Sequence, residues 1–232
     1  MWGSYDYIAS ISQAVTTNFL KNFPQLEDKI VEIPNILPIK LISKQADEFD
    51  VSGEMIDDGC IKLLSIGRYC DAKNFDNVPF ICKRILELGL KVKWYIIGYG
   101  GDEERIKKSI KECNMEDYVI LLGKKSNPYP YIKACDVYMQ PSRYEGKCVS
   151  VIEAQSLHKP VIITNYPTAK SQLKDGYDGV IVTLENSKCA QGIYNALTKK
   201  ELLNNISENT YKFDYSNYDS VSDLICLIKH KL

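Results

Sequence analysis

The chain has 232 residues, 45% of them apolar and 25% charged, which fits a folded globular protein large enough for one big domain, or one domain and a fragment. Its 29 basic and 30 acidic residues leave a net charge of -1, so no bulk attraction to nucleic acid or acidic lipid is expected. Eight cysteines without a CxxC spacing, and only two histidines, His158 and His230, give no metal-ligand pattern, so no metal is expected.

From the amino end, "YDYIASISQAVTTNFLKNF" reads as a short strand running into a helix that Ser12 is placed to cap. "KIVEIPNI" reads as another short strand, halted by Pro34. Residues 37–59 are polar and weakly periodic and read as a linker, which divides the chain into an N-terminal segment, 1–59, and a domain, 60–232. The opening residues show no charged and apolar leader, and no run approaches the roughly 20 apolar residues that span a bilayer. The expected compartment is the cytosol, or the cytosolic face of a membrane.

After residue 59 the pattern becomes regular. Strands are predicted at 61–67, 91–100, 118–123, 136–142, 159–164 and 179–183, with helices at 77–89, 102–114, 129–135, after Gly146, and at 187–200 and 217–231. Gly89 reads as a helix C-cap, and Glu103 and Glu104 suit the first turn of their helix. Nearly continuous apolar strands alternating with helices predict a parallel sheet covered on both faces. The fold class is α/β, a doubly wound, Rossmann-like sheet.

Ligands of such sheets bind beyond the carboxyl ends of the strands. After the first strand come Arg68 and Lys73, two cations suited to a diphosphate, or else two solvated surface charges. After the second, "GYGG" (Gly98, Gly100, Gly101) partly mimics G-x-G-x-x-G, but Glu103 holds the sixth position and no acidic residue ends the next strand. A plain strand-to-helix turn explains it as well. After the third, Gly123, Lys124 and Lys125 offer backbone groups to a flat base, or form a basic loop. After the fourth comes "YEGKCVSVIEAQ", with Glu145 and Glu153 eight positions apart. The amides of Gly146, Lys147, Cys148 and Val149 are expected to be open donors at a helix start, suited to an anion. Glu153 can accept from two vicinal hydroxyls of a ribose, and Glu145 from sugar hydroxyls. The plainer alternative has Glu145 against the helix dipole and Glu153 on a wet face.

In order along the chain, "GR" and the lysine within 67–73, "IIGYG", "LLGK", the E-x7-E of Glu145 and Glu153, and "EAQSLHKPVIITN" resemble the C-terminal domain of retaining glycosyltransferases of family 4. The resemblance covers about residues 60–185, and residues 5–40 resemble the tail of that family's N-terminal domain. It implies half of a GT-B fold. It implies metal-independent transfer from a nucleotide-diphosphate sugar, such as a UDP- or GDP-sugar, to a glycan or lipid-linked acceptor in cell-surface polysaccharide assembly. It also implies that Arg68 and Lys73 hold the diphosphate, Glu153 the ribose, and Lys124 and Lys125 the base, while Glu145 and the amides after it meet the donor sugar. Gly67, Gly98 and Gly100 stand with them as close-approach glycines of the nucleotide site. No further cofactor, metal or nucleic acid is implied, and any membrane contact would come through a fuller N-terminal domain. Lys147 and Cys148 replace the family's usual bulky and small residues, and "NYPTAKSQ" replaces its Gly-rich turn, with Thr168 and Ala169 still able to present amides. On length, the chain is expected to be a fragment or a short member that binds donor but transfers poorly. A nucleotide-sugar epimerase of the same architecture, a non-catalytic sugar-nucleotide module and a dinucleotide oxidoreductase are the competing readings.

Overall fold

The computed structural model describes residues 2–229. His230 and the end of the helix predicted at 217–231 lie outside these. Near the amino end, β1 (Ile8–Ser10) pairs in parallel with β2 (Ile30–Glu32), Ile8 opposite Ile30. Between them runs α1 (Gln13–Leu20), whose N-cap Ser12 accepts from the Val15 amide at 3.3 Å. β2 stops two residues before Pro34, which has no amide to offer a ladder.

The stretch 37–59 is packed rather than loose. It holds α2 (Ile39–Gln45), and Leu37, Ile42, Ala46, Val51 and Met55 are all buried. Ile42 meets Ile152, and Val51 and Met55 join the core beside Leu64 and Tyr95. Polar ties fasten the stretch to the domain: Asn127 donates to Gln45 O and Glu48, and Tyr131 donates to Glu54. Isolated apolar anchors bury this segment, with no stripe of regular period, so hydrophobic periodicity gives little warning of it.

The main sheet has six parallel strands: β3 (Ile61–Ile66), β4 (Val92–Ile97), β5 (Val119–Gly123), β6 (Val137–Gln140), β7 (Val161–Thr164) and β8 (Val180–Val182). Their order is β5-β4-β3-β6-β7-β8. Successive residues of a strand face opposite sides, and the core divides accordingly. Leu63, Trp94 and Ile96 face a layer that includes α3 (Val78–Glu87), α4 (Glu103–Cys113) and α8 (Asn186–Leu197). Leu64, Tyr95 and Ile97 face α5 (Tyr129–Ala134), α6 (Val149–Ser156) and α7 (Ala169–Gln172). This is the doubly wound arrangement expected, with each predicted strand found within a few residues. Gly89 follows α3 at φ 90°, as a C-terminal glycine should.

Two helices close the chain, α9 (Lys200–Thr210) and α10 (Asp219–Lys229). The first was not expected, because its sequence is mostly polar and only Ile206 and Thr210 are fully buried. His158 anchors it, stacked 3.5 Å from the ring of Tyr211 with its Nδ1 3.0 Å from Thr210 Oγ1. No helix among the described residues is long and apolar enough to cross a membrane.

Strand order reverses between β3 and β6. The chain leaving β3 turns toward α3 on one face, and the chain leaving β6 turns toward α6 on the other. Their loops diverge and leave a crevice at the carboxyl edge, where a ligand of an open α/β sheet is held.

Candidate functional site

Lys73 and Glu145, 72 residues apart in sequence, meet across that crevice with Lys73 Nζ 2.6 Å from Glu145 Oε1. Both are largely buried, their side chains 17% and 13% exposed. Burial disfavours the Lys73 charge, but the Cys148 sulfur and the Glu145 carboxylate beside it outweigh burial and hold its pKa above the ordinary lysine value. The lysine stem lies across the end of β3 because position 67 is glycine: a Cβ there would sit 2.8 Å from Lys73 Cε.

Glu145 Oε1 is held from three sides. Ser142 Oγ donates at 2.6 Å and Gln140 Nε2 at 3.2 Å, in addition to Lys73. Gln140 and Ser142 are fully buried, and Gln140 also bonds Ser142 at 2.8 Å. Behind them the buried Tyr138 hydroxyl lies 3.0 Å from Gln140 Oε1 and 2.7 Å from Ser150 Oγ. A chain of hydrogen bonds therefore runs along β6 to the carboxylate. Glu145 Oε2 has no protein partner among the described residues and reaches solvent. The one hint in the sequence was the polar residues Tyr138, Gln140 and Ser142 alternating through an apolar strand.

Arg143 fixes the loop that carries Glu145. Its guanidinium grips both oxygens of Asp76 at 3.1 Å and donates to Asp71 O at 2.6 Å. Arg105 adds a third bond to Asp76, at 2.6 Å. Neither Asp76 nor Arg105 stood out in the sequence, since ordinary surface pairs look the same before folding.

The start of α6 corrects one expectation. The Cys148 amide is not open: the side chain of Gln172 accepts from it at 2.8 Å and donates back to Cys148 O at 3.3 Å. Gln172 caps the helix from 24 residues away in sequence. The amides of Gly146, Lys147 and Val149 have no acceptor among the described residues. Lys147 does not stand free either; its ammonium donates to Ser171 O at 3.0 Å, with burial lowering its pKa against the opposing charge of Glu32.

Glu153 is not on a wet face. It is half-buried and accepts from the Tyr129 hydroxyl at 2.9 Å. Burial raises its pKa, and the tyrosine bond only partly counters that. Gly98 and Gly100 make room for protein. A Cβ on Gly98 would lie 1.9 Å from Gly67 O, and one on Gly100 would lie 2.4 Å from Tyr69 O. They seat the turn after β4 on the loop after β3. Beyond β5, Lys125 is engaged by Glu54 at 2.5 Å and sits over the Tyr131 ring, whereas Lys124 lies exposed over Tyr99. Arg68 is exposed at the rim and makes no ion pair among the described residues.

The structure thus gathers Lys73, Glu145 and the open amides of Gly146, Lys147 and Val149 at one point. Residues 47–213 match the family model described as glycosyl transferases group 1. Among similar proteins, the N-acetylgalactosamine-N,N'-diacetylbacillosaminyl-diphospho-undecaprenol 4-alpha-N-acetylgalactosaminyltransferase of Campylobacter jejuni is 26% identical over 202 residues, 85% of this chain and 52% of that protein. The poly(glycerol-phosphate) alpha-glucosyltransferase of Bacillus subtilis is 26% identical over 223 residues, 90% of this chain and 32% of its own length. The crystal structure of Anabaena HepE in complex with UDP and glucose is similar with a TM-score of 0.82 at 18% identity, over 98% of this chain and 64% of that one; at such identity the likeness is one of fold. The chain spans about half the length of the curated relatives it matches, at 38%, 52% and 55% for three of them.

Proposed function

Because the chain belongs to the group 1 glycosyl transferases, we propose that it is the donor-binding half of a retaining, metal-independent glycosyltransferase that uses a nucleotide-diphosphate sugar. The observation that carries this reading is the Lys73–Glu145 pair across the β3/β6 crevice, beside the open amides before α6. Lys73 spends one of its three N–H groups on Glu145 and keeps two for a diphosphate oxygen. Arg68 at the rim and the amides of Gly146, Lys147 and Val149 supply the rest of the positive field.

In transfer, the bond from the anomeric carbon to the diphosphate oxygen breaks, and the leaving nucleoside diphosphate takes the electron pair. The acceptor's hydroxyl oxygen bonds to that carbon while its proton passes to the departing diphosphate. Fixed cations and helix-start donors stabilise that charge without reorganising. The free Oε2 of Glu145 accepts from a sugar hydroxyl or faces the positive charge developing on the ring. Glu153 holds the ribose diol, and the loop carrying Lys124 and Lys125 meets the base. A lipid-linked or glycan acceptor is supported by the relatives whose names print a diphospho-undecaprenol or a poly(glycerol-phosphate). A place in cell-surface polysaccharide synthesis at the cytoplasmic face of a membrane belongs to the same proposal.

The test is calorimetric titration with UDP, GDP and ADP. One of them saturates the protein at a single site, and Arg68→Ala weakens it about tenfold, the effect of losing one charged hydrogen bond. Absence of saturable binding by all three contradicts the reading.

A further inference from the structure

The residues on both sides of Lys73 are tied to the loop after β6. Ala72 O accepts from the Arg143 amide at 2.8 Å, and Asn74 Nδ2 donates to Pro141 O at 2.9 Å. Pro141 and Arg143 stand between the end of β6 and Glu145. The lysine and the carboxylate it meets are therefore carried by two loops sewn together next to each of them. Asn74 is 1% exposed and takes a left-handed backbone, φ 59° and ψ 25°, just after the single turn Asp71–Lys73. Its amide donates to Asp71 O at 3.1 Å, and its Oδ1 accepts from Asn77 Nδ2 at 2.6 Å. Farther along, Ser109 Oγ donates to Asp76 O at 2.6 Å and moors the loop to α4. The guanidinium of Arg143 closes the seam on Asp71 O and Asp76.

Few residue types satisfy position 74. A left-handed φ suits glycine and asparagine and strains most others. Of those two, only asparagine brings a side-chain N–H to Pro141 O. An aspartate would set a second oxygen against that carbonyl and leave a carboxylate buried. Position 74 thus demands a backbone shape and a donor together, at the residue next to the lysine. We propose that Asn74 and Arg143 are positioning residues of the donor site. They act on the ligand through Lys73, holding its ammonium against Glu145 where the diphosphate is received. Lys73 has a flexible four-carbon stem whose freedom is costly to lose on binding. Fixing the backbone on both sides of it removes part of that cost before the ligand arrives. The assignment rests on the reading of this crevice as a donor site.

The experiment titrates UDP, GDP and ADP into the chain, into Asn74→Gly, Arg143→Lys and Lys73→Met, and into each of the first two combined with Lys73→Met. Glycine keeps the left-handed turn and drops the side-chain bond. Lysine keeps the charge and drops the two-pronged grip on Asp76. Each single variant is expected to weaken the nucleotide that binds by about tenfold. In the Lys73→Met background, Asn74→Gly and Arg143→Lys are expected to add no more than about a twofold loss, because a group acting through another has nothing left to act on. Fully additive losses, or unchanged affinity in both single variants, overturn the assignment and leave the donor-site reading intact. If Asn74→Gly does not fold, Arg143→Lys decides; failure of both to fold marks them as structural and overturns the assignment. If Lys73→Met binds too weakly to read a further loss, crystal structures of the single variants decide. The Lys73 ammonium is then expected beyond about 4 Å from Glu145, and a pair still at 2.6 Å overturns the assignment. If the unsubstituted chain binds none of the three nucleotides, or Lys73→Met binds as tightly as it does, the donor-site reading falls and the assignment with it.

Discussion

At the scale of single residues, the site is a set of groups whose partners are chosen for them by the fold. Glu145 is aimed by three donors on one oxygen, so its free oxygen points where β6 and its loop put it. Glu153 is the opposite case, a half-buried carboxylate with one phenol for company. Its pKa is raised by burial, which sets a pH dependence of defined sign. The folded protein favours the neutral form, so the group's contribution to stability is full below the ordinary glutamate value and is lost as pH rises through the raised one. Ligand binding runs the other way, since only the ionised form accepts from both hydroxyls of a diol. Nucleoside diphosphate affinity is therefore expected to fall as pH is lowered through a midpoint above the ordinary glutamate value. Glu153→Gln is expected to flatten that fall without lowering stability at neutral pH. The titration of the diphosphate itself is common to both proteins and cancels in the comparison. A parallel pH profile for the two would remove Glu153 from the site.

At the scale of elements, the loops after β3 and β4 are pressed together more tightly than any side chain allows. Gly98→Ala would drive a Cβ to within 1.9 Å of Gly67 O, whereas Gly101 has nothing within 4 Å of the same position. Gly98→Ala is expected to cost about 2 kcal/mol or more in denaturant unfolding, as backbone strain does, and Gly101→Ala to stay within about 0.5 kcal/mol. Equal effects would mean the turn is not locked. These glycines were legible in the sequence as a strand-to-helix turn, and the structure shows which protein atoms they make room for. The strands were legible because each is a buried apolar run, and β3 and β4 are followed directly by glycine. The start of α6, Lys73 and Glu145 were legible from their places after strands. The Gln172 cap, the Tyr138–Gln140–Ser142 chain and the unpartnered Tyr166 were not. The cap joins residues 24 apart in sequence, and Tyr166 depends on what a side chain fails to touch. The β6 chain, though its links are only two or three residues long, shows in the sequence as no more than polar alternation in an apolar strand.

At the scale of the molecule, the N-terminal segment is part of the crevice's surroundings. A Cβ on Gly146 would lie 3.7 Å from Val15, and Glu32 opposes the charge of Lys147. Residues 37–59, though polar in sequence, pack against the sheet and reach the loop beyond β5 through the Glu54–Lys125 pair. The six-stranded sheet thus presents one edge, ringed by loops from four strands, and the charge there is arranged around a point between Lys73 and the first turn of α6. The most direct test of that arrangement is a crystal structure of the chain soaked with the nucleotide sugar that titration selects. The expected map has the diphosphate between Lys73, Arg68 and the amides of Gly146, Lys147 and Val149, with the ribose on Glu153 and the sugar against Glu145. A nucleotide bound at any other edge of the sheet, with the Lys73–Glu145 pair undisturbed and solvent before α6, would contradict it.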